Sequence, residues 1–225
     1  ESSAASDVYK RQMIADKVEV ASKKVGNKEA WRWVSDGQTG FEIKKDVKKE
    51  IGTSITMHLN EEGKEFASRW RIESLVKKYS DHIPQPIFFI DKKDEAEQLN
   101  TSAALWTRPA KDISKDEYKS FYHGVASAYD TPFATIHNRT EGSVEFTNLL
   151  FVPSIAPFDL YDPERKSKLH LYVNRVFITD DYEGLVPKWL RFLRGIIDTP
   201  DVILNVSREM LQQNPAVAKI NKALV

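Results

Sequence analysis

The 225-residue chain has no cysteine, which removes disulfide frameworks and thiolate chemistry and suits a reducing cytoplasm. It has no excess of either charge: 33 Lys and Arg stand against 33 Asp and Glu. No net field therefore draws it to a nucleic-acid backbone or an anionic membrane. No apolar run approaches the length of a bilayer span, and no signal-peptide core stands near the start. The familiar catalytic signatures are missing too: no His-Glu-x-x-His pair, no P-loop, no Gly-x-Ser-x-Gly elbow, no Gly-x-Gly-x-x-Gly. His58, His82, His123, His137 and His170 are scattered singly rather than at metal-ligand spacing. These absences describe a soluble globular protein and nothing sharper, with a cytoplasmic setting expected, and length alone allows one large domain or two ordinary ones.

What is present begins as a strand meander. "ADKVEVAS", "AWRWVS", "GFEIKK" and "TSITMHL" are separated by turn signals at Gly26-Asn27, Asp36-Gly37 and Gly52. "EEGKEFASRWRIESLVKKYSD" reads as one helix, acidic at its start and basic at Lys77 and Lys78, with a stripe of Ile72, Leu75, Val76 and Tyr79. Pro84 and Pro86 punctuate before a short strand, "IFFI". "DKKDEAEQLN" is charged and aperiodic, as a linker between domains would be.

Beyond it the pattern is α/β. Ser114 and Glu117 have capping-box spacing ahead of a stripe of Tyr118, Phe121, Tyr122 and Val125. "SVEFTNLLFVPS" and "KLHLYVNRVFI" alternate as sheet strands. Pro187 predicts a helix start with Trp189, Phe192, Leu193 and Ile196 behind it. "ILNVS" reads as extended, Ser207 as the cap of a short helix "REMLQQN", and "KALV" adds no closing element. Trp31, Trp33, Trp70 and Trp189 are expected in the core, and "KKDVKKE" on a solvated face.

Two segments carry chemistry. In "GTSITMHL", Gly52 permits a tight turn before a hydroxyl that could meet a ligand's polar edge, although threonine is also common on edge strands. In "LNVSREMLQQN", Arg208 falls in the first turn of a helix, where the dipole disfavours a cation. An incoming anion would account for it; an ordinary surface or salt-bridged arginine is the plainer alternative.

Read together, "MIADKVEV", "GTSITMHLNEEGKEFASRWRIESLVKKYSDHI", "ALWTRPAKDISKDEYKSFY", "LLFVPSIAPFDLY", "LYVNRVFITDD", "LRFLRGIIDTPD" and "LNVSREMLQQN" resemble the heat-shock protein 90 family of chaperones in its bacterial high-temperature protein G type. The segments follow one another in family order and at family spacing from Met13 almost to the C-terminus. Residues 1–12 fall outside the resemblance. Their "DVYKRQ" resembles the translation of a transposase end sequence used to tag sequencing libraries, so they are expected to be a scar, and the chain to be truncated at both ends.

The resemblance implies an α+β chain in two parts. Residues 13–92 match the C-terminal half of a histidine-kinase-like (GHKL) ATPase domain of sheet and helices. Residues 93–103 match a short charged linker, and 104–225 the front of an α/β, ribosomal-S5-like middle domain. It also implies site roles. Thr53 falls on an adenine-pocket threonine and Ile55 on an apolar pocket position. Arg208 falls on the middle-domain arginine that reaches the ATP γ-phosphate, with Gln212 as its partner one turn later. Phe158 in "APFDL" matches an apolar loop at the closing interface, and Trp106 in "LWTR" an aromatic of client and conformational contacts; core packing is the alternative for both. The family usually has proline where Ile203 stands, which loosens the loop presenting Arg208.

ATP with Mg2+ is the cofactor implied for the full-length parent. The catalytic glutamate, magnesium-holding asparagine, adenine-reading aspartate and glycine lid all precede the position of Met13 in this family, so the fragment itself is expected to bind and hydrolyse no ATP. Implied partners are unfolded or partly folded client proteins, and a second copy through a C-terminal domain that this stretch does not include; no nucleic acid and no membrane are expected. A DNA topoisomerase or mismatch-repair relative on the same ATPase fold is a competing reading, opposed by the balanced charge and by "LWTR" and "APFDL". A protein-binding fragment without catalysis is another.

Overall fold

Strand alternation organises the first part of the chain and both-sided burial the second. The computed structural model describes residues 13–91, 95–157, 159–162, 167–182, 184–202 and 214–224. Two compact units divide between Ile72 and Glu73.

In the first unit, β1 (Ala15–Lys23), β2 (Ala30–Ser35), β3 (Glu42–Asp46) and β4 (Gly52–Leu59) form an antiparallel sheet in the order β3-β2-β1-β4. The registers Val20↔Ile55, Val20↔Trp33 and Trp33↔Ile43 place one apolar row across all four strands. The opposite face carries charge: Arg32 donates to Glu19 Oε2 at 2.9 Å and to Asp46 at 3.2 Å. After the sheet the sequence predicts one continuous helix. The chain instead makes a 3-10 turn, Glu62–Ala67, and breaks at Ser68, which is extended. The Ser68 hydroxyl then accepts the Arg71 N–H at 3.1 Å and starts α1 (Arg69–Ser80). Gly63 is obligatory in that turn, because a Cβ there would lie 2.0 Å from the Ile14 carbonyl oxygen.

The charged segment expected to be linker contains a strand. β5 (Phe88–Ile90) and β6 (Ala96–Gln98) pair as an antiparallel ribbon. The Asn100 side chain holds its base, accepting the Ile87 N–H and donating to the carbonyls of Ser80 and Gln85.

The second unit is built on β7 (Ala134–Thr140), β8 (Phe146–Val152), β9 (Lys168–Val173), β10 (Val176–Thr179) and β11 (Arg194–Asp198), in the order β10-β9-β11-β8-β7. Among the described strands of this sheet, only β9 and β11 pair in parallel. Alternate residues enter two cores. Leu150, Leu171 and Ile197 pack with Val217 and Ile220 of α3 (Pro215–Ala223) on one face. Leu149, Phe151, Tyr172 and Ile196 pack with Trp106 and Tyr122 on the other, where α2 (Lys115–Ala126) lies. The capping box forms as its spacing predicts: Ser114 Oγ accepts the Glu117 N–H, and Glu117 Oε2 accepts the Ser114 N–H at 2.8 Å.

Three other expectations are corrected. The residues behind Pro187 make only a 3-10 turn, Lys188–Leu190, followed by β11. Its Arg194–Ile197 stretch is buried on both faces, so periodicity alone could not separate strand from helix. The segment ending in "KALV" does close with an element, α3, capped by Asn214 with Pro215 at its first position. Trp31, Trp70 and Trp189 are 45%, 73% and 64% exposed rather than core residues.

Candidate functional site

The two positions that the resemblance assigns to the adenine pocket, Thr53 and Ile55, lie on β4. Gly52 enters the strand at φ +115°, and Thr53 and Ile55 follow on the same face. Cross-strand pairing sets Thr53 beside Ser22, hydroxyl to hydroxyl at 2.9 Å. Ile55 and Met57 are 42% and 40% exposed, beside a buried Val18. Among the described residues no group of three His, Asp or Glu side chains could hold a metal ion. Arg208, Gln212 and Phe158 lie outside the described residues.

Trp106 is in the second unit, in the 3-10 turn Leu105–Thr107, and is 1% exposed. Its indole N–H donates to Asp198 Oδ2 at 2.8 Å. Its ring packs on Tyr172 and Phe121 at 5.0 and 5.8 Å between centroids, with His82 edge-on at 4.8 Å. The Trp106 carbonyl accepts from His137 Nε2 at 3.0 Å. Because a carbonyl can only accept, Nε2 bears the proton, and the Tyr118 hydroxyl donates to Nδ1 at 2.7 Å. Trp106 is thus a packed, hydrogen-bonded core residue, and its side chain leaves little surface to a partner.

Three polar hubs escaped the sequence reading. Asp130 accepts from the Tyr122 hydroxyl through Oδ1, and from the Ser154 N–H and hydroxyl and the Ile155 N–H through Oδ2. Burial pushes its carboxyl up, but those donors outweigh burial and hold it below the usual range. It ties α2 to the loop that leads toward position 158. Asp198 joins Trp106 to the β9–β10 turn by also accepting the Arg175 N–H at 3.1 Å. Glu19 accepts from Lys17, His58 and Arg32, and its carboxyl falls to about 2, chiefly through Lys17. No local motif marks these residues, since each hub joins elements distant in sequence.

No helix among the described residues is long and apolar enough to cross a membrane. A family model described as Hsp90 protein matches residues 89–225. The chain is 48% identical over 216 residues to Chaperone protein HtpG of Rhodospirillum rubrum, an alignment covering 96% of this chain and 34% of that protein. It is 47% identical over 217 residues to the protein of that name from Paramagnetospirillum magneticum, covering 96% and 35%. With that of Wolbachia pipientis wMel it shares 46% over 217 residues, covering 96% and 34%. The chain spans about a third of the length of these curated relatives.

Proposed function

Because this chain belongs to the Hsp90 family, we propose that it is part of an ATP-dependent molecular chaperone that assists folding through nucleotide-driven domain closure. The observation that carries this reading is the alignment itself: nearly half of the aligned positions are identical across 96% of the chain to proteins named as chaperones. On this reading residues 13–92 are the latter half of a GHKL ATPase domain, 93–103 the linker, and 104–225 the start of an S5-like middle domain.

Thr53 and Ile55 would line the adenine side of the nucleotide. Arg208, with Gln212 beside it, would reach the γ-phosphate when the domains close. A guanidinium supplied from a second domain stabilises charge on the transferred phosphoryl group and makes turnover depend on closure. Phe158 would pack across the closing interface. ATP would supply the energy, and its Mg2+ would be held by residues outside this chain. Client proteins are the partners, a second copy joins through a domain outside this stretch, and the setting is the cytoplasm.

The test is mutation of the longer protein. Arg208→Ala should lower ATP turnover about a thousandfold with little change in nucleotide affinity. Unchanged turnover would remove the assignment.

A second reading, that this 225-residue chain binds polypeptide without hydrolysing ATP, is favoured by the exposure of Ile55, and of Met57 two residues on, along β4. Titration calorimetry of the chain with Mg-ATP should show no micromolar binding, while aggregation of an unfolded protein is still suppressed. Micromolar ATP affinity would overturn this second reading.

A further inference from the structure

In the second unit, one end of the sheet carries a polar row on the face opposite α3. The registers Arg139↔Thr147, Thr147↔Asp198 and Asp198↔Tyr172 run it across β7, β8, β11 and β9. The chain then turns through Asn174 and Arg175, and Val173 pairs with Val176. Two adjoining depressions of about 330 and 350 Å3 flank this row and share Thr107, Arg139, Thr147 and Arg175.

The arginines here are not equivalent. Arg108 is committed internally, to Glu117 at 2.6 Å and to the Asp112 carbonyl. Arg139 pairs through Nε with Glu141 at 3.0 Å, both side chains well exposed, which leaves its terminal nitrogens available. The guanidinium of Arg175 has no ion pair or hydrogen bond among the described residues, and the residue is half-buried.

Arg175 also stands where the backbone disfavours it. Asn174 and Arg175 have φ of +50° and +65°, the sign pattern of a type I′ hairpin turn. Asparagine suits the first position, but the second favours glycine. The Arg175 N–H is anchored on Asp198 Oδ1 in this conformation. A strained residue lining a groove, its guanidinium unpaired among the described residues, points to function rather than packing.

We propose that this groove binds an extended, acidic peptide segment, with carboxylates meeting Arg175 and Arg139 and the chain lying over Thr107 and Thr147. This deepens the polypeptide-binding reading above and rests on it. The negative groups of the groove favour spaced single charges over a compact dianion: Asp198 and Glu145 line it together with the two arginines. Both Asp198 oxygens already accept, from Trp106 and Arg175. Pro84 and Pro200, both exposed, offer apolar shelf to neighbouring peptide side chains.

The test is fluorescence polarisation of the full chain with a labelled hexapeptide of alternating Asp and Leu, against the same peptide with Asn for Asp. The Asp peptide should bind about tenfold more tightly, and raised salt should weaken it. Arg175→Gly removes the cation and the strain together, so it should weaken Asp-peptide binding about tenfold while the melting temperature holds or rises. Arg139→Gln should weaken binding without changing the fold.

Equal binding of the Asn peptide, or unchanged affinity in Arg175→Gly, would overturn the proposal. So would inorganic phosphate binding as tightly as the Asp peptide, because the groove would then take free anions. Suppression of aggregation of an unfolded neutral protein separates the two levels: if it persists while the Asp peptide fails, the chaperone reading stands and this inference falls.

Discussion

Gly195 sits in the middle of β11 at φ +122°, and a Cβ there would lie 2.1 Å from the Leu149 carbonyl oxygen. Both the backbone conformation and the close approach of β8 exclude a side chain. Gly195→Ala should therefore destabilise by about 3 kcal/mol or more, read as a lower urea midpoint. Gly124, inside α2, has no heavy atom within 4 Å of the corresponding point. Gly124→Ala should gain up to about 1 kcal/mol from helix propensity. A loss in Gly195→Ala of less than about 1 kcal/mol would mean that β11 relaxes away from β8. The same contrast between identity and setting governs the tryptophans: Trp106 is buried by residues 121, 172 and 198, while Trp70 and Trp189 stand exposed.

At the scale of elements, α2 is held at its start by carboxylate chemistry. Glu117 accepts the Ser114 N–H and pairs with Arg108, and the Ser114 N–H, Arg108 and the Ser114 hydroxyl together lower its carboxyl from 4.5 to about 2. Glu19 in the first unit is lowered to about the same value by Lys17, His58 and Arg32. A carboxyl depressed by folding stabilises the native state fully above its ordinary value. That contribution is lost as pH falls from 4.5 toward 2. Urea midpoints should therefore drop across this window, and Glu117→Gln and Glu19→Gln should each flatten the drop for their own unit. A wild-type curve flat in this window would remove both carboxylates from the account. The capping box was legible in sequence because its parts lie three residues apart. β6 was not, because Ala96–Gln98 owes its extension to pairing with Phe88–Ile90. Nor was β11, whose apolar run looks alike as a buried strand or a buried helix turn. Thr53 and Ile55 could be placed on one strand face from alternation, but their roles, like those of Arg208 and Gln212, came only through family resemblance. The Trp106–Asp198 bond joins residues 92 apart, and no local pattern records it.

At the scale of the whole molecule, the two units differ in how much apolar surface they remove from water. Among the described residues of the first unit only Ala15, Val18 and Ala30 are buried apolar side chains, whereas both faces of the second unit's sheet are covered by large ones. Burial of apolar area is the main favourable term in folding, and a four-stranded sheet with so few buried side chains has little of it. β3 and β4 are also edge strands, and Ile43, Ile55 and Met57 remain in contact with water. Opening of the first unit should then require much less free energy than opening of the second. Amide hydrogen exchange should show β1–β4 losing protection well before β8, β9 and β11, and denaturant unfolding should resolve into two steps. Arg175→Gly and Gly195→Ala should move only the later step, and Glu19→Gln only the earlier one. A single cooperative transition, with Val18 and Ile55 amides as slow to exchange as those of Leu149 and Ile196, would show that the first unit draws stability from contacts beyond its own small core.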